Sequence, residues 1–143
     1  YCSKRNGESR LSPKRIRWLS DQSFAKKFGF EVADITDQGY ELLALSLDGT
    51  RPRFAKNAKS GNIENKELTI YYDMQCPYIF QTVGQIKLYC EQNNIPVSLI
   101  QIDTLRKAKE LPCVFNNFAV FYKGNFQTVN LLDTTSLKTL LKK

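Results

Sequence analysis

The stretch that most constrains this chain is Glu67–Ile79, ELTIYYDMQCPYI. Leu68–Tyr72 is short and rich in β-branched and aromatic residues, the composition of a strand. Asp73–Gln75 interrupts it. Beyond that point Ile79, Val83, Ile86 and Cys90 recur at helical spacing, together with Phe80 and Tyr89. Pro77 suits the first turn of such a helix, where its missing N–H is not needed. Cys76 is therefore expected at the joint between a strand and a helix N-terminus, where the helix dipole favours a thiolate.

The chain has 143 residues, 42% of them hydrophobic and 24% charged. That is enough for one ordinary domain or two small lobes with a buried core. No apolar run reaches membrane-spanning length, and no secretory signal pattern opens the chain. The four cysteines (Cys2, Cys76, Cys90, Cys113) are widely spaced and form no C-x-x-C pair. A reduced, cytoplasmic setting is the expectation. The chain starts at Tyr1 and its only methionine is Met74, so it reads as a piece of a longer protein.

Histidine is absent. Ser/His and Cys/His nucleophile pairs and His-containing metal sites are thereby excluded, and a Cys-only metal site would need ligands gathered from distant points. The formal charge is +7. Residues 1–66 hold 13 Lys/Arg against 8 Asp/Glu, a balance of +5, and residues 67–143 hold 8 against 6, a balance of +2. A basic surface suits a phosphate-bearing ligand or nucleic acid, and equally a solvated face.

Tyr1–Ser3 reads as the tail of a strand, and Lys4–Arg17, with Gly7, Pro13 and six basic residues, as a loop. After Trp18 and Leu19, Ser20 is placed as an N-cap, with Leu19 and Phe24 as a hydrophobic staple. A short helix, Asp21–Phe28, ends with Gly29 at C′. A strand Phe30–Asp34, a turn Thr36–Gly39 and a strand Tyr40–Leu47 follow. The last of these is apolar on both faces and needs cover on two sides or a central position. Residues 51–66 are polar, basic and aperiodic and read as a linker, with Arg51, Arg53, Lys56 and Lys59 within reach of an acidic ligand.

The second half reads as strand Leu68–Tyr72, helix Tyr78–Gln92, strand Pro96–Ile102, a helical stretch Thr104–Glu110, and strands Phe118–Tyr122 and Phe126–Asn130 joined by a tight turn at Lys123–Asn125. Asp133 caps a final helix, stapled by Leu132 and Leu137. The crossover rule makes the first two strands parallel. Tyr71, Tyr72, Phe118, Phe121 and Tyr122 read as cross-strand core pairs rather than a base-stacking platform. Cys90 belongs to the helix's apolar stripe. The fold class is α/β of the α+β kind.

SFAKKFGFEVAD followed by YELLALSL resembles the last third of a GNAT-type N-acetyltransferase domain, in which a helix leads through a Gly-Phe pair, here Gly29-Phe30, into two antiparallel strands. The resemblance covers residues 1–54. It implies acetyl-CoA as cofactor, in a parent protein, and a small-molecule amine as acceptor. It brings Tyr40 and Glu41 near an acceptor pocket, with Glu41 suited to take a proton from the amine. Two family features are missing from this sequence. No Arg/Gln-x-x-Gly-x-Gly/Ala phosphate loop occurs, and the position of the family's Tyr general acid is Ala25. The chain alone is expected to be inactive.

The β-α-β, hairpin and helix order resembles the thioredoxin-like layout, and CPY at Cys76–Tyr78 resembles a glutaredoxin active-site start whose second Cys is replaced by Ile79. On that resemblance Cys76 is the candidate catalytic thiol, Tyr78 lies beside it, and Cys113 is a candidate resolving thiol or substrate contact. The family's cis-Pro position is occupied by Asn117. The two halves together, a partial acetyltransferase over 1–50 and a thioredoxin-like lobe over 67–143, resemble the C-terminal part of YoaP-type GNAT proteins. The implied functions are, in order, part of an N-acetyltransferase whose second lobe shapes the acceptor site, a thiol-dependent module centred on Cys76, and a nucleic-acid binder. If the neighbour of strand Tyr40–Leu47 is missing, that strand invites dimerisation or association with the rest of the parent protein.

Overall fold

The computed structural model describes residues 2–4 and 22–142. The chain divides into two compact units, residues 1–55 and 56–143. Each has its own sheet.

In the first unit, β1 (Cys2–Lys4), β2 (Glu31–Ile35) and β3 (Tyr40–Ala44) form an antiparallel sheet of order β1-β3-β2. Helix α1 (Gln22–Lys27) precedes β2. It ends in the two bonds of a Schellman motif: Phe30 N–H to Ala25 C=O at 3.2 Å and Gly29 N–H to Lys26 C=O at 3.1 Å. Gly29 has φ +82°, so the expected C′ glycine is where it was placed. The cap, staple and loop read at Ser20, Leu19, Trp18 and residues 5–17 lie outside the described residues. Phe24 is 64% exposed and its ring lies 5.0 Å from that of Phe28.

Strand β2 turns into β3 through Thr36–Gly39. Gly39 N–H bonds the Thr36 carbonyl at 2.9 Å, and Thr36 N–H bonds the Tyr40 carbonyl at 2.9 Å. Two expectations about β3 are corrected. The strand ends at Ala44, not Leu47, because its partner β2 begins at Glu31, opposite Ala44, and no partner remains beyond. Leu47 is 90% exposed. Nor does β3 lack a neighbour: β1 pairs with its other side, Cys2 opposite Leu42.

The second unit runs β4 (Leu68–Tyr72), α2 (Pro77–Gln92), β5 (Val97–Gln101), α3 (Leu105–Glu110), β6 (Phe118–Tyr122), β7 (Asn125–Thr128) and α4 (Thr134–Leu141). The sheet order is β5-β4-β6-β7. Strands β4 and β5 are parallel, as a right-handed crossover requires, and the other pairs are antiparallel. Alternation sorts the side chains onto two faces. Leu68, Ile70, Phe118 and Val120 join Ile79, Val83, Ile86 and Cys90 of α2 and Leu137 and Leu140 of α4. Ala119 and Phe121 face the other way, toward Ile102, Leu111 and Cys113. The Asp133 carboxylate accepts the Ser136 N–H at 2.7 Å, and Leu132 and Leu137 are both buried, so cap and staple stand as expected.

The linker reading is also corrected. Residues 56–66 are built into the second unit. The Asn57 side-chain amide donates to the carbonyls of Lys109 (2.6 Å) and Leu111 (3.1 Å). Gly61 N–H donates to Pro112 C=O, Ile63 N–H to Gly124 C=O and Phe126 N–H to Gly61 C=O. The segment lies so close to the β6–β7 turn that a Cβ on Gly124 would sit 2.9 Å from the Ile63 carbonyl oxygen. Gly124 (φ +79°) and Lys123 (φ +53°) form the left-handed pair that a two-residue hairpin turn demands.

Candidate functional site

The joint between β4 and α2 is the most organised candidate. Cys76 is the N-cap of α2, with extended backbone (φ −112°, ψ 123°), and Pro77 follows in the first turn. The Cys76 carbonyl already accepts the Ile79 N–H at 3.0 Å. Ile79 is wholly buried, which fixes the first turn to the core. Cys76 itself is half-buried and reduced. Its sequence neighbours Met74, Tyr78 and Phe80 are 45%, 69% and 68% exposed. Cys76 packs in part against the core beneath α2, at the positive end of a 16-residue helix.

Asp73 positions this joint, a role the sequence reading had not given it. It is 8% exposed. Its carboxylate accepts the Gln75 N–H at 3.0 Å, and its own N–H donates to the Asn117 carbonyl at 3.0 Å. The first bond is a side-chain turn that an Asp two residues ahead of Gln75 makes readily, and this is the signal the sequence carried. The second ties the loop to the start of β6, where the Asn116 side chain accepts the N–H groups of Asn117 (2.7 Å) and Phe118 (3.3 Å).

Cys113 is not brought to Cys76. It belongs to the core cluster on the opposite face of the sheet from the one Cys76 packs against. It is buried, and burial pushes its thiol up to about 12. Tyr71 beside it is raised too, first by burial and then by the nearby Cys113 charge. The resolving-thiol reading is thus replaced by that of a small core residue. Cys90 is buried in the α2 stripe and burial raises it as well. The aromatics are core pairs: Phe121 meets Tyr71 and Phe126 edge-on at 5.7 and 5.5 Å.

Tyr40 and Glu41 open β3 in the first unit and are 7% and 3% exposed. The Glu41 carboxylate is therefore shielded from solvent. The same unit has a cleft of about 130 Å³ beside the bulge at Ala33, lined by Gly29, Val32, Ala33, Leu45 and the Arg51–Glu31 ion pair (3.0 Å). A bulge leaves no mark in the hydrophobic pattern, so this cleft could not be read from the sequence. Among the described residues no helix is long and apolar enough to cross a membrane.

A family model described as YoaP-like matches residues 96–139. An uncharacterized N-acetyltransferase, YoaP of Bacillus subtilis (strain 168), is 29% identical over 130 residues. The chain is similar to an N-acetyltransferase. The match takes in 90% of this chain, more than the second unit could supply, so it runs through both units. It takes in 52% of the relative, so the chain spans about half the length of the curated relative it matches. No solved structure matches.

Proposed function

We propose that this chain is the C-terminal part of an acetyl-CoA-dependent N-acetyltransferase acting on a small-molecule amine, and that its second unit is a thioredoxin-like module that shapes or covers the acceptor site. The observation that carries the reading is the similarity to an N-acetyltransferase across both units at once. The helix, Gly29-Phe30 pair and hairpin of the first unit support it. The strand order β5-β4-β6-β7 with the parallel β4–β5 pair supports the thioredoxin-like assignment of the second.

The residues of this chain do not fit the phosphates of acetyl-CoA. A pyrophosphate is cradled by free backbone N–H groups at a glycine-rich helix start. Here α2 opens on Cys76-Pro77, whose proline has no N–H to give, and no glycine-rich phosphate run occurs in the sequence. Cofactor recognition is accordingly assigned to the remainder of the full-length protein. In this reading Glu41 does not act as the base, since a carboxylate 3% exposed is shielded from an incoming amine. Calorimetric titration with acetyl-CoA should give a saturable heat with the full-length protein and none with residues 1–143 alone. Absence of heat in the full-length protein would end the proposal.

A second reading is favoured by one feature, the half-buried Cys76 at the α2 N-cap: a thiol-dependent binding or redox module. Cys113 does not serve it as a resolving partner, because it packs on the other face of the sheet.

A further inference from the structure

The second unit covers one edge of its own sheet with the chain that leads into it. Residues 56–66 lie along β7 as a strap. Gly61 N–H donates to the Pro112 carbonyl and Gly61 C=O accepts the Phe126 N–H, both at 2.8 Å. Ile63 N–H donates to the Gly124 carbonyl at 2.9 Å, Lys66 C=O accepts the Lys123 N–H at 3.0 Å, and Asn62 bridges to Asn125. At the strap's other end the Asn57 side chain bonds the Lys109 and Leu111 carbonyls. An extended peptide that adds a strand to a sheet edge binds in this manner, by main-chain bonds with a side chain seated at intervals. The strand it covers, NFQT, carries neither charge nor proline to blunt it.

The strap is held almost wholly by these polar contacts. Gly61 is its only buried residue. Ile63, half-buried, is its only side chain packed against a core cluster. The sheet beneath it buries Leu68, Ile70, Phe118 and Phe121 almost completely. Releasing the strap therefore breaks bonds that water can replace and exposes little apolar surface, whereas opening the sheet empties the core. A segment with that balance opens at lower free energy than the domain around it. Docking also depends on one bare backbone position. A Cβ on Gly124 would sit 2.6 Å from the Lys66 Nζ and 2.9 Å from the Ile63 carbonyl oxygen, and Gly124 has φ +79°.

We propose that residues 56–66 are a detachable strap: a peptide ligand held in cis on the β7 edge, which leaves as one unit while the sheet stays folded. The vacated edge takes the same chemistry in trans, an extended peptide with a small residue followed two positions on by an aliphatic one. The inference is independent of the acetyl-transfer reading. Native-state hydrogen exchange of residues 1–143 should show the Gly61, Ile63, Lys123 and Phe126 amides opening together, well before the amides of the β4–β6 ladder. Gly124→Ala and Asn57→Ala act at opposite ends of the strap. Each should speed all four amides by about tenfold and leave the ladder amides unchanged. A synthetic peptide of residues 56–66 with a fluorophore at its N-terminus should bind the Asn57→Ala chain saturably, because it brings the amide that the chain's own strap has lost. It should bind the parent chain more weakly, since there the intact strap competes in cis. The same peptide with Ile63→Asp should bind neither. Strap amides that exchange only together with the ladder, or a peptide that fails to bind the Asn57→Ala chain, would overturn the proposal.

Discussion

Replacing Phe118 with alanine is expected to destabilise the protein by about 3–5 kcal/mol, the usual cost of emptying a fully buried aromatic site. Phe118 is 0% exposed and lies on β6, between β4 and β7, directly opposite Tyr72. Its neighbours come from two layers, the sheet and the helices α2 and α4, and cannot all close on the void. A typical domain has only about 5–15 kcal/mol to lose. The site should feel the change as well, because the residue before Phe118 holds the Asp73 N–H. Urea titration measures the loss. Tyr78→Ala, at a 69% exposed position, is the control and should stay within about 0.5 kcal/mol of the parent. Equal effects would mean that the β6 face is not the core.

The second large effect is chemical. Iodoacetamide under native conditions should label Cys76 and leave Cys113 and Cys90 untouched until the protein unfolds. The thiolate is the reactive form. A Cys113 thiol raised from 9.0 to about 12 holds about a thousandfold less thiolate near neutral pH than an unshifted one. The same shift has a sign for stability. The folded-state value lies above the unfolded one, so the stabilising contribution is whole below about 9 and is lost as pH rises toward about 12. Tyr71 shifts in the same direction and adds to the alkaline loss. Cys113→Ala should flatten this alkaline limb. Peptide mapping that finds Cys113 labelled as fast as Cys76 would contradict the burial described for it.

What the sequence disclosed were the features fixed by a few neighbouring residues. Gly29 at a helix C′, Asp133 at an N-cap and Cys76-Pro77 at a strand–helix joint each depend on local backbone geometry, and each stands where it was expected. The strand directions of the second unit followed from chain connectivity. What stayed hidden depends on distant partners. Residues 56–66 have no periodicity because they satisfy their backbone against Pro112, Gly124 and Phe126 rather than within a regular element. The end of β3 is set by where β2 begins, and its second neighbour by three residues at the other end of the unit. The face taken by Cys113 depends on how the stretch after α3 approaches β6.

The two functional readings part over a single atom, the Cys76 sulfur. The deciding measurement is acetyl-CoA-dependent acetylation of an amine pool by the full-length protein, run with the parent sequence and with Cys76→Ser, and read by mass spectrometry. Acetylated amine from both proteins at rates within about twofold, a difference of less than about 0.5 kcal/mol in the barrier, is the result predicted for an acetyltransferase with a structural thiol joint. No acetylated amine from the parent sequence, with disulfide exchange at Cys76 in its place, would contradict it.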